Sequence, residues 1–256
     1  MRNIFNFKNK KNYNESNKNL GMDLESAKNK VDLRKKAISN ICLTKKEFNE
    51  INNVKFNVIV VLDASGSTSN LYVNSTIQNV INRLLPMALK FDDDGELKLY
   101  LFNHKFFKEK NVTMDNFFNY VKENDLYNKY VYGGTHYSPI MKDVINFTMN
   151  IEKNNNPTYV IFITDGDNSD SDKEEAKKVI IEASDKPIFW QFVGVGNERF
   201  KFLELLDNMQ GRVIDNANFF SLKDINEISD TELYERVMKE LPIWLKEAKA
   251  KKILTL

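Results

Sequence analysis

Cysteine is nearly missing from this 256-residue chain. Cys42 stands alone, so no intramolecular disulfide and no CxxC-type zinc site can form. A lone thiol fits a reducing compartment, and Cys42 reads as a small apolar core residue. Histidine is almost as scarce, with only His104 and His136. An excess of charge of one sign is lacking too. Lys and Arg total 37 against 36 Asp and Glu, a net charge of +1. That balance supplies no bulk attraction to nucleic acid or to an anionic membrane. No apolar run approaches the ~20 residues that cross a bilayer; the most apolar stretch, 58–62, is far too short. The basic start, Met1 to Lys8, is followed by no apolar segment, so no targeting signal is read there. These absences predict a soluble, cytoplasmic protein that partners neither nucleic acid nor membrane.

What is present divides the chain in three. Residues 1–22 are rich in Asn and Lys and read as a disordered leader. Residues 23–52 read as a helical extension. Leu24, Ala27, Val31, Leu33, Ala37 and Ile41 recur at helical spacing, and Thr44-Lys45-Lys46-Glu47 reads as a capping box for a second, shorter helix. From 53 to 256, short apolar runs alternate with amphipathic stretches. Strands are predicted over 55–62, 96–102, 159–163 and 188–195, more weakly over 212–214, with an edge strand over 106–110. Helices are predicted over 71–91, 114–123, 138–150, 172–184, 200–208 and 230–253. Runs such as 58–62 are apolar on both faces, as covered parallel strands must be. The fold class is therefore α/β: a doubly wound, mostly parallel, Rossmann-like sheet flanked by helices. Ser138 before Pro139 reads as an N-cap, and Ser171-Asp172-Lys173-Glu174 and Ser229-Asp230-Thr231-Glu232 as capping boxes. Pro86 and Pro242 predict kinks or breaks.

Two acidic turns end predicted strands: Asp63-Ala64-Ser65-Gly66-Ser67-Thr68 and Thr164-Asp165-Gly166-Asp167. In an open α/β sheet, ligands bind outside the carboxyl ends of the strands where strand order reverses. Between the two turns lies Gly133-Gly134-Thr135, a flexible loop that leads into a helix. Asp63, Ser65 and Ser67 alternate, so an extended turn projects them together. With Thr135 and Asp165 they make two carboxylates and three hydroxyls, oxygen donors that suit Mg²⁺, or Mn²⁺ or Ca²⁺ in its place. Neutral hydroxyls leave such an ion under-neutralised and open to an Asp or Glu carboxylate from a partner. Each piece alone is common turn chemistry; their joint occurrence in this order singles out the site.

The pattern Asp63, Ser65, Ser67, Thr135, Asp165 resembles the metal-ion-dependent adhesion site of von Willebrand factor A domains. Further strings resemble the TerF-type A domain of tellurium-resistance proteins. They include Phe91-Asp92-Asp93-Asp94-Gly95, Phe162-Ile163-Thr164-Asp165-Gly166, Pro187-Ile188-Phe189-Trp190 and Val213-Ile214-Asp215-Asn216-Ala217-Asn218. The resemblance covers roughly 30–250. It implies a von Willebrand factor A-like domain over 53–256 acting in a bacterial response to tellurite and other chemical stress. Binding there would be metal-dependent and to protein, without catalysis. It also implies a protein partner, with a calcium-binding TerD-like protein acting in trans as one candidate. Gly134, His136 and Asp167 would lie on the partner-binding rim. Thr68 and His136 depart from the residues expected at those places.

Other features stay open at this level. Asp165 to Asp170 fails as an EF-hand loop, since position six is Asp170 and position twelve Ala176. Asp167 and Asp170 read as solvated turn residues, or as an auxiliary Ca²⁺ site. Asp92-Asp93-Asp94 follows a helix, where negative charge is disfavoured; it is either a loop with a purpose or a solubilising turn. His104 reads as a turn residue, Trp190 to Phe192 as core, and Lys246 to Lys252 as a solvated helix end. Two rival functions remain: a Mg²⁺-dependent phosphoryl-transfer enzyme, which lacks a second acid at position 65, and a scaffold with an unused metal site.

Overall fold

A computed structural model describes residues 23–254; the predicted leader lies outside the described residues. Helix α1, Leu24–Thr44, precedes a short 3-10 turn, Lys46–Ile51. Strand β1, Asn57–Asp63, runs into a 3-10 turn at Gly66–Thr68, then α2, Ser69–Val73, and α3, Thr76–Phe91. Next come β2, Lys98–Phe102, β3, Phe106–Lys108, and the short helices α4, Tyr120–Glu123, and α5, Leu126–Tyr130. Helix α6, Ser138–Asn146, ends in a π turn before β4, Thr158–Thr164. The chain closes with α7, Asp170–Ala183, β5, Ile188–Val195, α8, Lys201–Asn208, β6, Ala217–Leu222, α9, Asp230–Met238, and α10, Leu241–Ala250.

The six strands form one sheet in the order β3-β2-β1-β4-β5-β6. Only β3 is antiparallel, and it caps one edge. The chain starts at the centre, moves out to β3, then returns to the other side of β1 as β4. The switch point therefore lies between β1 and β4, where a ligand crevice is expected. Every residue of β1, β4 and β5 is buried. Alternate residues of β1 serve different cores. Val58, Val60 and Leu62 join the core built with α1, α3, α9 and α10. Ile59 and Val61 join the core under α6, α7 and α8, which also takes Trp190 and Phe192. No helix among the described residues is long and apolar enough to cross a membrane.

Several local expectations fail for physical reasons. The helix predicted over 71–91 is broken at Ser75, which adopts φ 68°, while Asn74 Oδ1 caps Thr76 N–H at 3.0 Å. Pro86 does not break α3. It leaves the Asn82 carbonyl without its helical donor, and Arg34 Nη1 on α1 supplies one at 3.1 Å. The 114–123 helix shrinks to its end because Thr113 and Asn116 side chains bond nearby backbone instead. The long final helix divides ahead of Leu241, with Pro242 in the first turn of α10. Residues 212–214 are not a strand; Arg212 folds back onto the Asp207 and Met209 carbonyls. Thr44 donates to Asn40 O and caps nothing. Ser229 does cap α9, accepting from Glu232 N–H at 3.1 Å.

Asp92 answers the question posed by its acidic run. Its side chain is only 2% exposed. It accepts from Val58 N–H at 3.0 Å, Asp94 N–H at 3.1 Å and Lys98 Nζ at 3.3 Å. Asp93 pairs with Lys55 in the open. Asp92→Ala strands the buried Lys98 ammonium and should lower the unfolding free energy by about 3 kcal/mol. Urea denaturation measures this; a loss below about 1 kcal/mol, typical of surface pairs, would deny Asp92 that role.

Candidate metal centre

Asp63 ends β1, and its side chain is buried between neighbouring strands and turns. Ser65 N–H donates to Oδ1 at 2.7 Å, so the turn closes on the carboxylate. Thr164 Oγ1, at the end of β4, donates to Oδ2 at 2.5 Å. Behind the strand end, the Tyr72 hydroxyl donates to the Asp63 carbonyl at 2.9 Å. Thr68, a departure from the expected pattern, is fully buried, and its hydroxyl donates to Ser65 O at 2.8 Å. It locks the turn that carries the serines.

Four of the five predicted ligands form one chain of contacts. Ser65 Oγ lies 3.0 Å from Ser67 Oγ, and Ser67 Oγ donates to Asp165 Oδ1 at 2.9 Å. Thr135 joins through its loop. Gly66 N–H donates to Gly133 O at 3.0 Å, and Ser169 N–H donates to Thr135 O at 2.8 Å. The loops of Asp63, Thr135 and Asp165 therefore hold one another by backbone bonds. Gly134 is exposed at the loop tip. His136 is half-buried, with its N–H on Asn103 O at 2.9 Å. Asp167 is not the solvated turn residue expected: both its oxygens accept from Phe202 N–H, at 3.1 and 3.2 Å, at the start of α8. Asp170 is exposed and pairs with Lys173.

Burial pushes the Asp63 carboxyl up to about 7, against the opposing hydrogen bonds from Ser65 and Thr164. The Asp165 carboxyl is also raised, first by burial and then by Glu198. Neither carboxylate forms an ion pair with a basic side chain among the described residues. No three of His, Cys, Asp and Glu gather as a metal-binding group among those residues. The donor set is instead two carboxylates with hydroxyls, which fits a hard cation and not a thiolate- or imidazole-loving one. Two sequence readings of the neighbourhood change. Ser138 is not the N-cap of α6 and Ser171 opens no box. The buried Asp172 accepts from the Tyr137 and Ser138 N–H groups instead, at 2.5 and 3.1 Å. Thr164, Tyr72 and Tyr137 carry no spacing signal; only the position of Thr164 beside Asp165 points to one of them.

A family model described as vWA-TerF-like, "vWA found in TerF C terminus", matches residues 55–254. The uncharacterized protein YcbR of Bacillus subtilis (strain 168) is 42% identical over 226 residues, covering 88% of this chain and 90% of that protein. Among solved structures, proximal thread matrix protein 1 from the mussel byssus is similar with a TM-score of 0.53 at 16% identity. That match covers 74% of this chain and 46% of the mussel chain, so this chain spans about half the mussel protein's length. The manganese-loaded Plasmodium vivax TRAP protein is similar with a TM-score of 0.51 at 20% identity, covering 69% of this chain and 71% of that one. At such identities both structures speak to the fold alone.

Gly133 carries the tightest steric demand of the centre. Its φ is +75°, and a Cβ there would run into the His104 ring, which sits edge-on to Tyr132. Gly133→Ala should therefore cost about 1–2 kcal/mol of unfolding free energy through its left-handed backbone, plus the displacement of His104. Equal urea midpoints for wild type and variant would refute that.

Proposed function

Since the chain belongs to the vWA-TerF-like family, we propose that it is a divalent-metal-dependent protein–protein interaction module of a bacterial tellurium-resistance or chemical-stress system. The observation that carries this reading is the pair of carboxylates, Asp63 and Asp165, joined through Ser65 and Ser67 and paired with no basic side chain among the described residues. A buried carboxylate is tolerated when it is paired or holds a metal. Asp63, Ser65, Ser67, Thr135 and Asp165 would hold the ion, Mg²⁺ first, with Mn²⁺ or Ca²⁺ as substitutes. When bound, the ion supplies positive charge to an oxygen ligand from outside. Three of the five donors are neutral hydroxyls, which leaves that charge available to a partner's Asp or Glu carboxylate. A TerD-like protein in trans is one such partner. The solved TRAP protein of Plasmodium vivax is manganese-loaded, which makes Mn²⁺ the natural second ion to try.

No catalytic role is assigned. A nucleophilic-aspartate phosphoryl-transfer site calls for a second acid two residues beyond Asp63, and Ser65 occupies that place with its hydroxyl turned to Ser67. The cytoplasm is the compartment proposed, in keeping with the free, buried thiol of Cys42.

Calorimetry tests the reading. Mg²⁺ or Mn²⁺ at a hundredfold excess over its Kd should add about 2.7 kcal/mol to the stability of the native state. Asp63→Ala should abolish the gain. A wild-type melt that ignores both ions sinks the metal site. Capture of a partner from lysate with Mg²⁺, and its release by chelator, tests the interaction itself. Asp63-dependent hydrolysis of phosphate esters would favour the enzyme instead.

A further inference from the structure

Asp172 lies in the first turn of α7, the helix that follows the Asp165 turn, and its carboxylate is used entirely by other segments. Oδ2 accepts from Tyr137 N–H at 2.5 Å, Ser138 N–H at 3.1 Å and Asn168 Nδ2 at 2.8 Å. Oδ1 accepts from Ser138 Oγ at 2.5 Å. Asp172 is 5% exposed. It thus caps α6 from outside, where free N–H groups and the helix dipole favour an anion. It also ties α6 to Asn168, on the loop that carries Asp165. The Ser169 N–H to Thr135 O bond runs alongside.

Tyr137 continues the link inward. Its backbone N–H is held by Asp172, and its side chain is fully buried against Phe102 and Phe162. Its single hydroxyl proton goes to Gly166 O, in the Asp165 turn. The same oxygen lies 3.3 Å from Thr164 Oγ1, whose own proton goes to Asp63 Oδ2. Thr135 stands two residues before Tyr137. One residue pair therefore bonds the Thr135 and Asp165 loops together and lies beside the hydroxyl that serves Asp63, without contributing a ligand.

We propose that Asp172 and Tyr137 form a brace that sets the affinity of the metal centre by fixing the Thr135 loop against the Asp165 turn. This rests on the metal reading above, and both are positioning residues. The physical reason is preorganisation. Loops already locked in the metal-free protein spare the ion the work of ordering them, whereas loosened loops shift that ordering onto the binding step. Groups that orient metal ligands typically change metal affinity about 10–100-fold when removed. The rival account is a remote helix cap that adds stability and leaves affinity alone.

Mn²⁺ titration calorimetry of the full chain separates the two, with circular dichroism and urea melts confirming that each variant is folded. Asp172→Ala and Tyr137→Phe should each weaken Mn²⁺ binding by about tenfold or more. Asp172→Asn should bind nearly as wild type. Its amide oxygen can take the three bonds at Oδ2, and its NH₂ can face the Ser138 hydroxyl, which accepts as well as donates. Wild-type affinity in folded Asp172→Ala and Tyr137→Phe overturns the brace and leaves only a cap. A loss in Asp172→Asn equal to that in Asp172→Ala overturns the geometric account. Should Asp172→Ala fail to fold, Tyr137→Phe decides alone, since it removes one hydroxyl and keeps the ring. No binding by the wild type defeats the metal reading, and the brace with it.

Discussion

A carboxylate on the innermost strand of a covered sheet loses its water before it gains any function, and Asp63 is so placed. β1 is flanked by β2 and β4, and Asp63 ends it in register with Phe102. The surroundings answer the desolvation in two ways. Ser65 N–H and the Thr164 hydroxyl each donate to one carboxylate oxygen, which favours the charged form. They do not cancel the burial, and the carboxyl remains displaced up to about 7. A group so poised is stabilised by positive charge brought near it. The topology decides where such charge would come from. Parallel strands on both flanks send their carboxyl ends the same way, so Asp63 and Asp165 emerge at one crevice.

The crevice is built from loops that would be loose alone. Each is short of regular structure, and each is fastened to another by main-chain bonds. Gly66 meets Gly133, and Thr135 meets Ser169. Gly133 holds a φ of +75° at the first of these contacts, and His104 fills the space a side chain would take. The buried side chains of Asp172 and Tyr137 add the next layer. The centre thus depends on few local contacts and many that are distant in sequence, which is how strand-end loops gain a definite shape.

That division explains which features were legible in the sequence. β1, β4 and β5 were readable because burial on both faces demands apolar residues along most of each strand. The oxygen-rich cluster was readable because its order and spacing are themselves the signal: Asp63, Ser65, Ser67 and Asp165 lie in one chain of contacts. Local rules failed where a distant group took the decision. Ser138-Pro139 reads as a helix start with its own cap, yet the capping acceptor is Asp172, 34 residues on. Asp172 in turn reads as part of a box for its own helix, and its oxygens are spent elsewhere. Pro86 reads as a break, yet Arg34, 48 residues earlier than Asn82, supplies the missing donor. Thr164 and Tyr137 carry no spacing signal at all, because a hydroxyl beneath a site obeys no periodicity.

The same logic bears on why position 65 matters. In the proposed reading, an acid there would crowd a third carboxylate beside two that already share a desolvated crevice. Like charges so close resist joint ionisation, and a fully neutralised cation would have little charge left for an outside oxygen. A serine keeps an oxygen donor in place without adding charge, and its backbone N–H serves Asp63 while its hydroxyl leans on Ser67. One residue thereby closes the turn and extends the donor set, and in that reading it would leave the positive charge of an ion exposed. The last of these properties suits a centre that is completed by another protein better than one that carries out chemistry by itself.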